Sequence, residues 1–577
     1  LPIWPSLVRT SYLNLNGRWE CAFSKTPEIP LSFDLSILVP FSPECQLSGV
    51  SRQLKPGEYL WYRRTITLAK PQQDKRILLH FGAADQTAEV FVNRISAVRH
   101  CGGYLPFSAD ITDYLQEGDN ELIVRIQDES NTSWHARGKQ SLKPGGMFYT
   151  AQSGLWQTVW MEIVPVNYIE QIFYHTDYDQ GLVHLKVLTQ HSAPVECVIS
   201  GKDMEPVCIN GMTNSELIVS LPDFHPWTPE DPFLYLVSLK SSADRVSSYF
   251  AMRKCDIQTA PDGTQRFFLN NKPYFQAGVL DQGYWPESLY TAPTDEALIA
   301  DISQMKELGF NMLRKHAKIE PERFYYHCDQ LGMLVWQDMV NGGSAYKHWF
   351  VTYLATLMNW NHISFSDDEK HAGLLSRLHP EGKDEFRREI TETIAFLYNH
   401  PSIVVWVPFN EGWGQFDALA ACEQIRTLDS SRLVDHASGW FDQKGGDILS
   451  LHYYFLKLKF KPESKRAAAL TEFGGYSLSI PGHSCCKKVY GYKKFNSTGT
   501  LTYGYIDLIR QTILPAVKKG IGATVYTQLS DIEEETNGIY TYDREICKID
   551  PDTLRKWNRA LKEAGECKTY ADHTTDH

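Results

Sequence analysis

Two glutamates, Glu411 and Glu472, follow short apolar runs of the kind that form buried strands, at residues 403–407 and 468–470. A carboxylate at the C-terminal end of a buried parallel strand lies where barrel enzymes keep their catalytic groups. Taken singly, Glu411 could instead cap the acidic helix pattern after it, and Glu472 could be the buried partner of a basic residue. Together, two facing carboxylates could act as acid/base and nucleophile on a glycosidic bond, their like charges pushing the two pKa values apart.

The segments that must position these glutamates begin after about residue 254, where apolar strand patterns alternate with helical patterns. The helical stretch 295–308, with Gly309 as a C-terminal stop, is one example. Eight such repeats predict a (β/α)8 TIM barrel over residues 254–577. Strands four and seven of an eight-strand ring would face each other across its mouth. The predicted strands are 274–279, 310–313, 333–336, 403–407, 433–436, 448–453, 468–471 and 523–527.

The longest insertion in this barrel follows the third strand and spans residues 340–384. A long loop on the catalytic face is expected to form a lid or a pocket wall. A packed accessory pair of helices is the alternative. The insertion carries several aromatic and histidine side chains: Tyr346, His348, Trp349, Trp360 and His362.

The first 253 residues have a different pattern, in which short runs of alternating apolar and polar residues are separated by turn signals. Residues 1–165 are predicted to form one β-sandwich. Residues 166–253 repeat the pattern in a smaller unit, which predicts an immunoglobulin-like β-sandwich.

The chain has 577 residues, which is long enough for about three or four domains. Its composition limits the classes of partner that it could bind. The net charge of −12 argues against nucleic acid as a partner, because such binding needs a basic surface. An aromatic content of 12%, with 15 Trp and 30 Tyr, provides rings that could hold a carbohydrate, although most such rings are buried. The sequence does not decide between a monomer and a homo-oligomer.

Targeting and cofactor signals are absent from the sequence. No apolar run approaches the roughly 20 residues that span a bilayer, and the N-terminus has neither a basic n-region nor an apolar h-region. A cytoplasmic location is expected; the chain does not begin with Met, so a secreted or periplasmic protein with a removed leader stays open. The 12 cysteines are scattered, mostly in apolar runs, without a Cys-x-x-Cys or His-Glu-x-x-His motif. We therefore predict neither a metal site nor a cofactor.

Several motifs along the whole chain resemble those of glycoside hydrolase family 2, which contains β-galactosidases, β-glucuronidases and β-mannosidases. They are residues 13–19, 39–42, 102–107 and 154–157, together with Asn410-Glu411 and residues 472–475. The resemblance implies that the first domain is a sugar-binding-like jelly-roll β-sandwich. It implies that Glu411 is the acid/base, that Glu472 is the nucleophile, and that Asn410 binds the sugar 2-hydroxyl.

Other polar and aromatic residues at predicted strand ends are candidates for binding the sugar. In related enzymes a basic group follows strand two, a tyrosine after strand six donates to the nucleophile, and an aromatic residue after strand eight lies under the sugar. Between the two tyrosines after strand six, Tyr453 and Tyr454, the sequence does not decide. For each candidate the alternative is a packing role. The predicted substrate-binding residues are Asn410, Asp281, Arg314, His316, Asp338, Trp413, His452, Tyr453, Tyr526 and Gln528.

The sugar itself is not named by any motif. The chain lacks the Ser-His-Tyr-Pro of galactosidase-like relatives after strand two, and Trp336-Gln337-Asp338 looks more like the mannosidase pattern. The Asn-x-Lys with which β-glucuronidases hold the sugar carboxylate is also missing, because Asn537 is followed by Gly538-Ile539. Acidic residues 533–535 nearby, expected on a solvated loop, would repel a uronate.

These observations predict an exo-acting, retaining β-glycosidase that removes a terminal galactose-type sugar. The alternative specificities are β-galactofuranosidase, α-L-arabinosidase, β-mannosidase and β-glucuronidase, and a transglycosylase would share the same residues. A non-catalytic carbohydrate-binding protein is a further alternative, disfavoured because both glutamates are present. A serine hydrolase is disfavoured because no Gly-x-Ser-x-Gly elbow occurs.

Overall fold

The computed structural model describes residues 4–69, 73–360, 363, 365–454 and 458–566. The predicted fold class is confirmed: two β-sandwiches precede an eight-stranded parallel barrel. The predicted boundaries between these domains stay predictions. Within the described residues, no helix is both long enough and apolar enough to cross a membrane.

The first sandwich packs a six-stranded sheet, ordered β3-β2-β4-β10-β7-β8, against a four-stranded sheet ordered β1-β14-β5-β9. Buried side chains from both sheets form its core, among them Trp19 and Leu79. The pairs β6–β13 and β11–β12 extend from it. Its strands are β1 (Tyr12–Asn14), β2 (Gly17–Ser24), β3 (Leu35–Val39), β4 (Tyr59–Leu68), β5 (Lys75–Phe81), β6 (Ala84–Asp85), β7 (Thr87–Val92), β8 (Ile95–Cys101), β9 (Phe107–Asp110), β10 (Gly118–Gln127), β11 (Gln140–Ser141), β12 (Tyr149–Thr150), β13 (Gly154–Leu155) and β14 (Val159–Pro165).

The second sandwich packs the sheet β15-β16-β19 against the sheet β18-β17-β20-β21. Burial alternates strictly along β20, as expected for a strand with one face in the core and one in water. Val8, from the N-terminal segment, pairs with Ser247 of this sandwich and so ties the two sandwiches together. Its strands are β15 (Ile169–Asp177), β16 (Leu182–Thr189), β17 (Pro194–Ser200), β18 (Val207–Met212), β19 (Glu216–Ser220), β20 (Tyr235–Ser241) and β21 (Asp244–Phe250).

A small antiparallel sheet leads into the barrel and closes its N-terminal end. It consists of β22 (Cys255–Thr259), β23 (Gln265–Leu269) and β24 (Lys272–Pro273). Phe267 of β23 packs against barrel-interior residues, and its ring lies 5.8 Å from that of Trp336. The barrel is therefore plugged at the end opposite its C-terminal strand ends.

The barrel strands pair in parallel in the order β29-β28-β27-β26-β25-β34-β31-β30. Among the described residues β29 and β30 do not pair, so the ring is open at that seam. The short strands β32 (Tyr476–Ser477) and β33 (Lys493–Lys494) pair outside it. Its strands are β25 (Gln276–Asp281), β26 (Met312–Lys315), β27 (Leu334–Asp338), β28 (Ile403–Val407), β29 (Leu433–Val434), β30 (Ile448–Tyr453), β31 (Ala467–Gly474) and β34 (Ile521–Thr527).

Helices cover most of the barrel exterior, although the described residues between β29 and β31 contain none. Helix α1 begins with the Thr294 hydroxyl accepting a bond from the Ala297 amide, and it has Asp295 and Glu296 in its first turn. The helices are α1 (Asp295–Glu307), α2 (Glu322–Leu331), α3 (Ala355–Trp360), α4 (Pro380–Leu397), α5 (Ala418–Leu428), α6 (Thr498–Leu508), α7 (Leu514–Lys518) and α8 (Pro551–Gly565), with π-helical turns Trp349–Leu354 and Ile509–Ile513 before α3 and α7.

The 340–384 insertion forms a wall on the catalytic face of the barrel. Its Phe350 stacks on Phe441, with ring centroids 5.8 Å apart, and its Tyr346 lies 6.1 Å from Trp413. The insertion thus packs through its helical turn and α3 onto the loops after β28 and β29. His362 lies outside the described residues.

Candidate active site

Glu411 and Glu472 lie together at the C-terminal end of the barrel. Carboxylate oxygens of the two side chains and a ring nitrogen of His452 all lie within 4.8 Å of one another. Glu411 is 9% exposed and Glu472 is 6% exposed, so water reaches little of either residue. The fold therefore brings the two strand-end carboxylates to one place.

The backbone turns sharply where each glutamate leaves its strand. Glu411 has φ of +49°, a left-handed conformation that costs a residue with a side chain about 1–3 kcal/mol. Its amide donates to the Ser438 carbonyl at 2.9 Å, which holds the turn. Glu472 lies where the pairing of β31 with β34 slips between Leu470 and Phe473. Both irregularities aim a carboxylate into the barrel mouth.

His452, at the end of β30, lies between the two carboxylates. Its Nδ1 atom is 2.8 Å from Glu411 Oε1 and 3.6 Å from Glu472 Oε2. Its Nε2 atom is 3.1 Å from the Ser438 hydroxyl, which fixes the ring plane. The imidazole therefore orients Glu411 while contributing to the electrostatics of Glu472.

Arg314 is fully buried beneath the carboxylates and links three strand ends. Its guanidinium donates to Glu472 Oε1 at 3.2 Å and to Asn410 Oδ1 at 2.9 Å. Bonds of 3.1 and 2.9 Å to Asp338 complete a paired contact. Burial opposes the charge of Arg314, but Asp338 and Glu472 outweigh it and raise the pKa. Arg314 thus stays charged and holds both Glu472 and Asn410.

Glu472 is kept ionised by its neighbours. Burial on its own would raise the pKa of this carboxyl, but the charges of His452 and then Arg314 outweigh burial and lower the pKa to about 2. The Tyr454 hydroxyl also donates to Glu472 Oε2 at 2.5 Å. A carboxylate that stays charged at neutral pH is what a nucleophile requires.

Two buried ring nitrogens at the site have no hydrogen-bond partner among the described residues: Nε2 of His316 and Nε1 of Trp413. The two rings lie 6.4 Å apart. Burial, and next the charge of Lys139, lower the pKa of His316, so its ring is neutral. The contact of His316 Nδ1 with Asp338 at 2.5 Å then leaves Nε2 as an acceptor. His316 and Trp413 can therefore bind hydroxyl groups of a ligand.

Lys139 reaches this site from the first sandwich, and the sequence did not single it out. The side chain is 7% exposed, with Nζ 5.3 Å from the Trp413 ring centroid and 5.9 Å from that of Tyr149. Among the described residues its ammonium has no hydrogen bond or ion pair, yet its charge lowers the pKa of both Glu472 and His316. The sandwich thus adds a buried cation to the barrel mouth.

A backbone contact between the two domains places Lys139. The Arg137 and Gly138 amides donate to the Asn341 carbonyl at 2.9 and 3.0 Å, beside a bridge between Ala136 and Gly342. Gly138 has φ of +61°, and a Cβ atom there would lie 2.7 Å from a barrel carbonyl. Only glycine fits so close to the barrel backbone with a positive φ, which explains why a glycine directly precedes Lys139.

Of the two tyrosines that the sequence leaves open, the structure places Tyr454 next to Glu472 and turns Tyr453, which was predicted to bind the sugar, away from it. Successive strand residues face opposite sides, and His452 faces the barrel interior. Tyr453 therefore faces outward, where it lines a groove with Leu449 and Pro515 on the far side of the strand. Tyr454 returns to the interior side and also contacts the Thr527 hydroxyl at 2.9 Å.

Because successive strand residues face opposite sides, Asp281 and Tyr526 also point away from the barrel mouth. Leu280 points into the barrel, so Asp281 points outward and pairs with Lys315 at 2.7 Å. Tyr526 packs in the outer layer, with its ring 5.5 Å from the ring of Phe473. Both residues were predicted to bind the sugar, and the structure places both in the layer between strands and helices.

Gln528 belongs to a buried polar network beside the site. Its side-chain oxygen accepts from Gln282 at 2.6 Å, and its amide donates to Asn537 at 2.8 Å. Glu535, 3% exposed, accepts bonds from Asn537 and from the Tyr149 hydroxyl.

The triplet 533–535 is therefore not a solvated loop, contrary to expectation. Glu533 accepts from the Thr150 amide at 2.9 Å, and Glu534 accepts from the Gly146 amide at 2.9 Å. The carboxylates dock a loop of the first sandwich onto the barrel.

Side chains that could hold a metal ion also occur elsewhere. Besides the trio of Glu411, His452 and Glu472, two groups in the described ranges have donor atoms within 4.8 Å of one another. They are Cys101-His135-Glu385, between the first sandwich and the barrel, and His483-Asp543-Glu545, which is nearer the surface.

The fold, with two β-sandwiches before a barrel that has two glutamates at facing strand ends, is the architecture of multidomain glycoside hydrolases. Family models support this assignment over much of the chain. Residues 45–160 match the sugar binding domain of glycosyl hydrolases family 2, and residues 263–512 match the TIM barrel domain of that family. The chain belongs to glycoside hydrolase family 2.

Similar proteins include two enzymes of different named specificity. The β-galactosidase of Thermoanaerobacter pseudethanolicus is 26% identical over 441 residues, covering 72% of this chain and 54% of that protein. The human β-glucuronidase is 24% identical over 450 residues, covering 69% of this chain and 63% of that protein. The chain thus spans between about half and two thirds of the length of these relatives.

Solved structures share the fold over nearly the whole chain. The β-D-glucuronidase of Dictyoglomus thermophilum superposes with a TM-score of 0.74 at 17% identity, covering 96% of this chain and 98% of that one. A Ruminococcus gnavus β-glucuronidase in complex with D-glucuronic acid gives 0.72 at 17% identity, with coverages of 96% and 99%. At this identity the likeness concerns the fold.

Proposed function

We propose that this chain is a retaining β-glycosidase that removes a terminal sugar, with Glu411 as acid/base and Glu472 as nucleophile. The observation that carries the proposal is the approach of the two carboxylates to within 4.8 Å. Retaining enzymes hold their carboxyl groups about 5–5.5 Å apart, whereas inverting enzymes need about 6.5–9.5 Å to admit a water molecule.

The reaction has two steps, formation and hydrolysis of a glycosyl-enzyme, and in each step neighbouring side chains assist one of the carboxylates. Ionised Glu472 attacks the anomeric carbon while Glu411 gives its proton to the departing oxygen. Arg314 and Tyr454 hold Glu472 in position, so the attacking oxygen needs little reorganisation. Glu411 then removes a proton from water, and the resulting hydroxide breaks the bond between the sugar and Glu472. Asn410, held by Arg314, is available to the 2-hydroxyl.

Aromatic walls around the site support exo action on a chain end. Phe148 of the first sandwich and Tyr346 of the insertion both contact the Trp413 ring, at 5.4 and 6.1 Å. Next to them lies a cavity of about 420 Å³, bordered also by Tyr490, whose size suits the group attached to the sugar. The walls favour a pocket over an open cleft.

A terminal galactose-type sugar is the first candidate substrate. The unpartnered nitrogens of His316 and Trp413 suit neutral hydroxyl groups, and the similar protein from Thermoanaerobacter pseudethanolicus is named a β-galactosidase.

A glucuronide is the second candidate, favoured by the unpaired ammonium of Lys139 within the described part of the chain. The acidic residues 533–535 accept hydrogen bonds from backbone amides and from the Tyr149 hydroxyl. Their charges are therefore already compensated and argue less strongly against a uronate. Several similar proteins are also named β-glucuronidases.

An aryl glycoside panel combined with NMR tests the proposal. The panel contains β-galactopyranoside, β-galactofuranoside, β-glucuronide, β-mannoside and α-L-arabinoside, and NMR identifies the first-formed anomer. We expect retention of configuration, labelling of Glu472 by a 2-fluoro sugar of the active series, and loss of at least about 10⁴-fold in kcat for Glu472→Gln. Glu28→Gln, an exposed glutamate in the first sandwich, is the matched control. An inverted product would overturn the mechanism, and sugar binding without turnover would identify a carbohydrate-binding protein.

A further inference from the structure

Cys101, His135 and Glu385 meet where the first sandwich packs on helix α4. Cys101 ends β8, His135 lies in the segment that carries Lys139, and Glu385 is in the second turn of α4. The His135 Nδ1 atom is 2.7 Å from Glu385 Oε2, and Cys101 Sγ is 3.9 Å from that nitrogen and 3.8 Å from that oxygen. One sulfur, one nitrogen and one oxygen donor thus converge from three separate segments.

The spacing of these donors matches a tetrahedral ion. Zn²⁺ with bonds of about 2.3 Å to sulfur and about 2.0–2.2 Å to nitrogen and oxygen separates its ligands by about 3.4–3.6 Å. The observed separations of 2.7, 3.8 and 3.9 Å bracket that range. To bring all three atoms to bonding distance, the two contacts of sulfur must shorten by about 0.3 Å and the contact of His135 with Glu385 must lengthen by about 0.7 Å. A mixed sulfur, imidazole and carboxylate set selects Zn²⁺ over Mg²⁺ or Ca²⁺.

A second carboxylate, that of Glu389, projects beside this group, although its oxygens are not among the donor atoms that lie within 4.8 Å of one another. Glu389 is one helical turn after Glu385, so both side chains project from the same face of α4. Glu389 is 8% exposed, and no hydrogen bond or ion pair joins it to the described residues. Its carboxylate lies against Gly102, where an added Cβ atom would be 3.1 Å from Oε1, directly beside Cys101. Burial raises the pKa of Glu389 well above its usual range, and a cation bound nearby would let this carboxylate ionise.

We propose that Cys101, His135 and Glu385 bind a structural Zn²⁺ ion, and that the Glu389 side chain rotates from its place against Gly102 to supply the fourth ligand. The ion would join the first sandwich to α4, reinforcing the bond of 3.0 Å from the Ala136 amide to Glu385 Oε1. Sequence motifs give no sign of this site, because its ligands are separated by 34 and 250 residues. The proposal is independent of the glycosidase activity.

Cobalt substitution of the full chain tests the thiolate ligand directly. The purified protein is stripped with chelator and titrated with Co²⁺, which gives a sulfur-to-cobalt charge-transfer absorption only when a cysteine binds it. We expect one equivalent to produce this absorption, Cys101→Ser to abolish it, and Glu389→Gln to weaken binding by at least about 10-fold. Cys208→Ser, an exposed cysteine of the second sandwich, is the matched control and should bind as the parent does.

Thermal stability distinguishes a bound Zn²⁺ ion from a plain ion pair of His135 with Glu385. Zn²⁺ should raise the Tm of the stripped parent and of Cys208→Ser, but not that of Cys101→Ser or His135→Gln. Circular dichroism establishes that each variant is folded. The proposal is overturned if the parent gives no charge-transfer absorption, if the absorption survives Cys101→Ser, or if it depends on Cys485 and Cys486. A plain ion pair would leave Tm unchanged by Zn²⁺, and that result also overturns it.

Discussion

The hydroxyl of Tyr454 donates a hydrogen bond of 2.5 Å to Glu472 Oε2 and so joins the end of β30 to the end of β31. The opposite oxygen of Glu472 is held by Arg314 at 3.2 Å. Each oxygen of the proposed nucleophile therefore has its own donor, which fixes both the position and the charge of the carboxylate.

Replacing Tyr454 and Tyr453 separately should give opposite results. Tyr454→Phe removes a donor to ionised Glu472, so we expect kcat to fall by about 10–1000-fold. Loss of a bond to the charged form also raises the pKa of Glu472, so the acidic limb of the kcat/KM profile should move to higher pH. Tyr453→Phe, on the outer side of the strand, is the control and should stay within about 2-fold. Equal losses in both variants would contradict the assigned orientation.

The Glu411→Ala variant should depend strongly on the leaving group. A glycoside with an acidic phenol as leaving group needs little protonation, so its first step should survive, while an alkyl glycoside should lose at least about 10³-fold in kcat/KM. Azide, which attacks the glycosyl-enzyme without a general base, should restore turnover of the activated substrate and yield a glycosyl azide of retained configuration. Uniform losses across leaving groups would remove Glu411 from the role of acid.

Glu472 should also make the stability of the protein depend on pH. Its pKa is lowered from 4.5 to about 2 because His452 and Arg314 overcome the effect of burial. The ionised group therefore stabilises the fold above pH 4.5, and that contribution is lost as the pH falls toward 2. Between these values the Tm of the parent should fall more steeply than that of Glu472→Gln. Parallel Tm curves for the two proteins would show that the environment of Glu472 is not as described.

Lys139→Met decides between the two candidate sugars. If the ammonium binds a uronate, kcat/KM on a glucuronide should fall by at least about 100-fold while a galactoside changes by less than about 5-fold. Lys143→Met in the same loop, with an exposed side chain, is the control. A similar small loss on both glycosides would assign Lys139 to the electrostatics of Glu472 instead of to sugar recognition.

The sequence predicts the barrel and the two glutamates because each glutamate follows an apolar run typical of a buried strand, within eight alternating strand and helix patterns. It predicts the side-chain directions less well. The strand at residues 448–453 is where the sequence predicts it, but which of Tyr453 and Tyr454 faces inward depends on the pairing of β30 with β31, which slips between Leu451 and His452. The sequence likewise does not indicate the outward direction of Asp281, because that direction follows only from the geometry of the assembled barrel.

Lys139 shows a second limit of sequence interpretation. It comes from a different domain than the glutamates and reaches them through the contact of Gly138 with the Asn341 carbonyl. No local pattern in the residues around Lys139 indicates a barrel partner about 200 residues away, so only the assembled fold reveals it. No sequence pattern indicates the proposed inter-domain ligands Cys101 and Glu385 either, because they too lie far apart in the chain.

The pairing of Ala136 with Gly342 has a consequence for engineering this protein. An isolated barrel would keep both glutamates but lose the cation and the Phe148 ring that the neighbouring module supplies. Chimeras that exchange the N-terminal module between relatives should therefore exchange substrate preference as well, with the barrel unchanged.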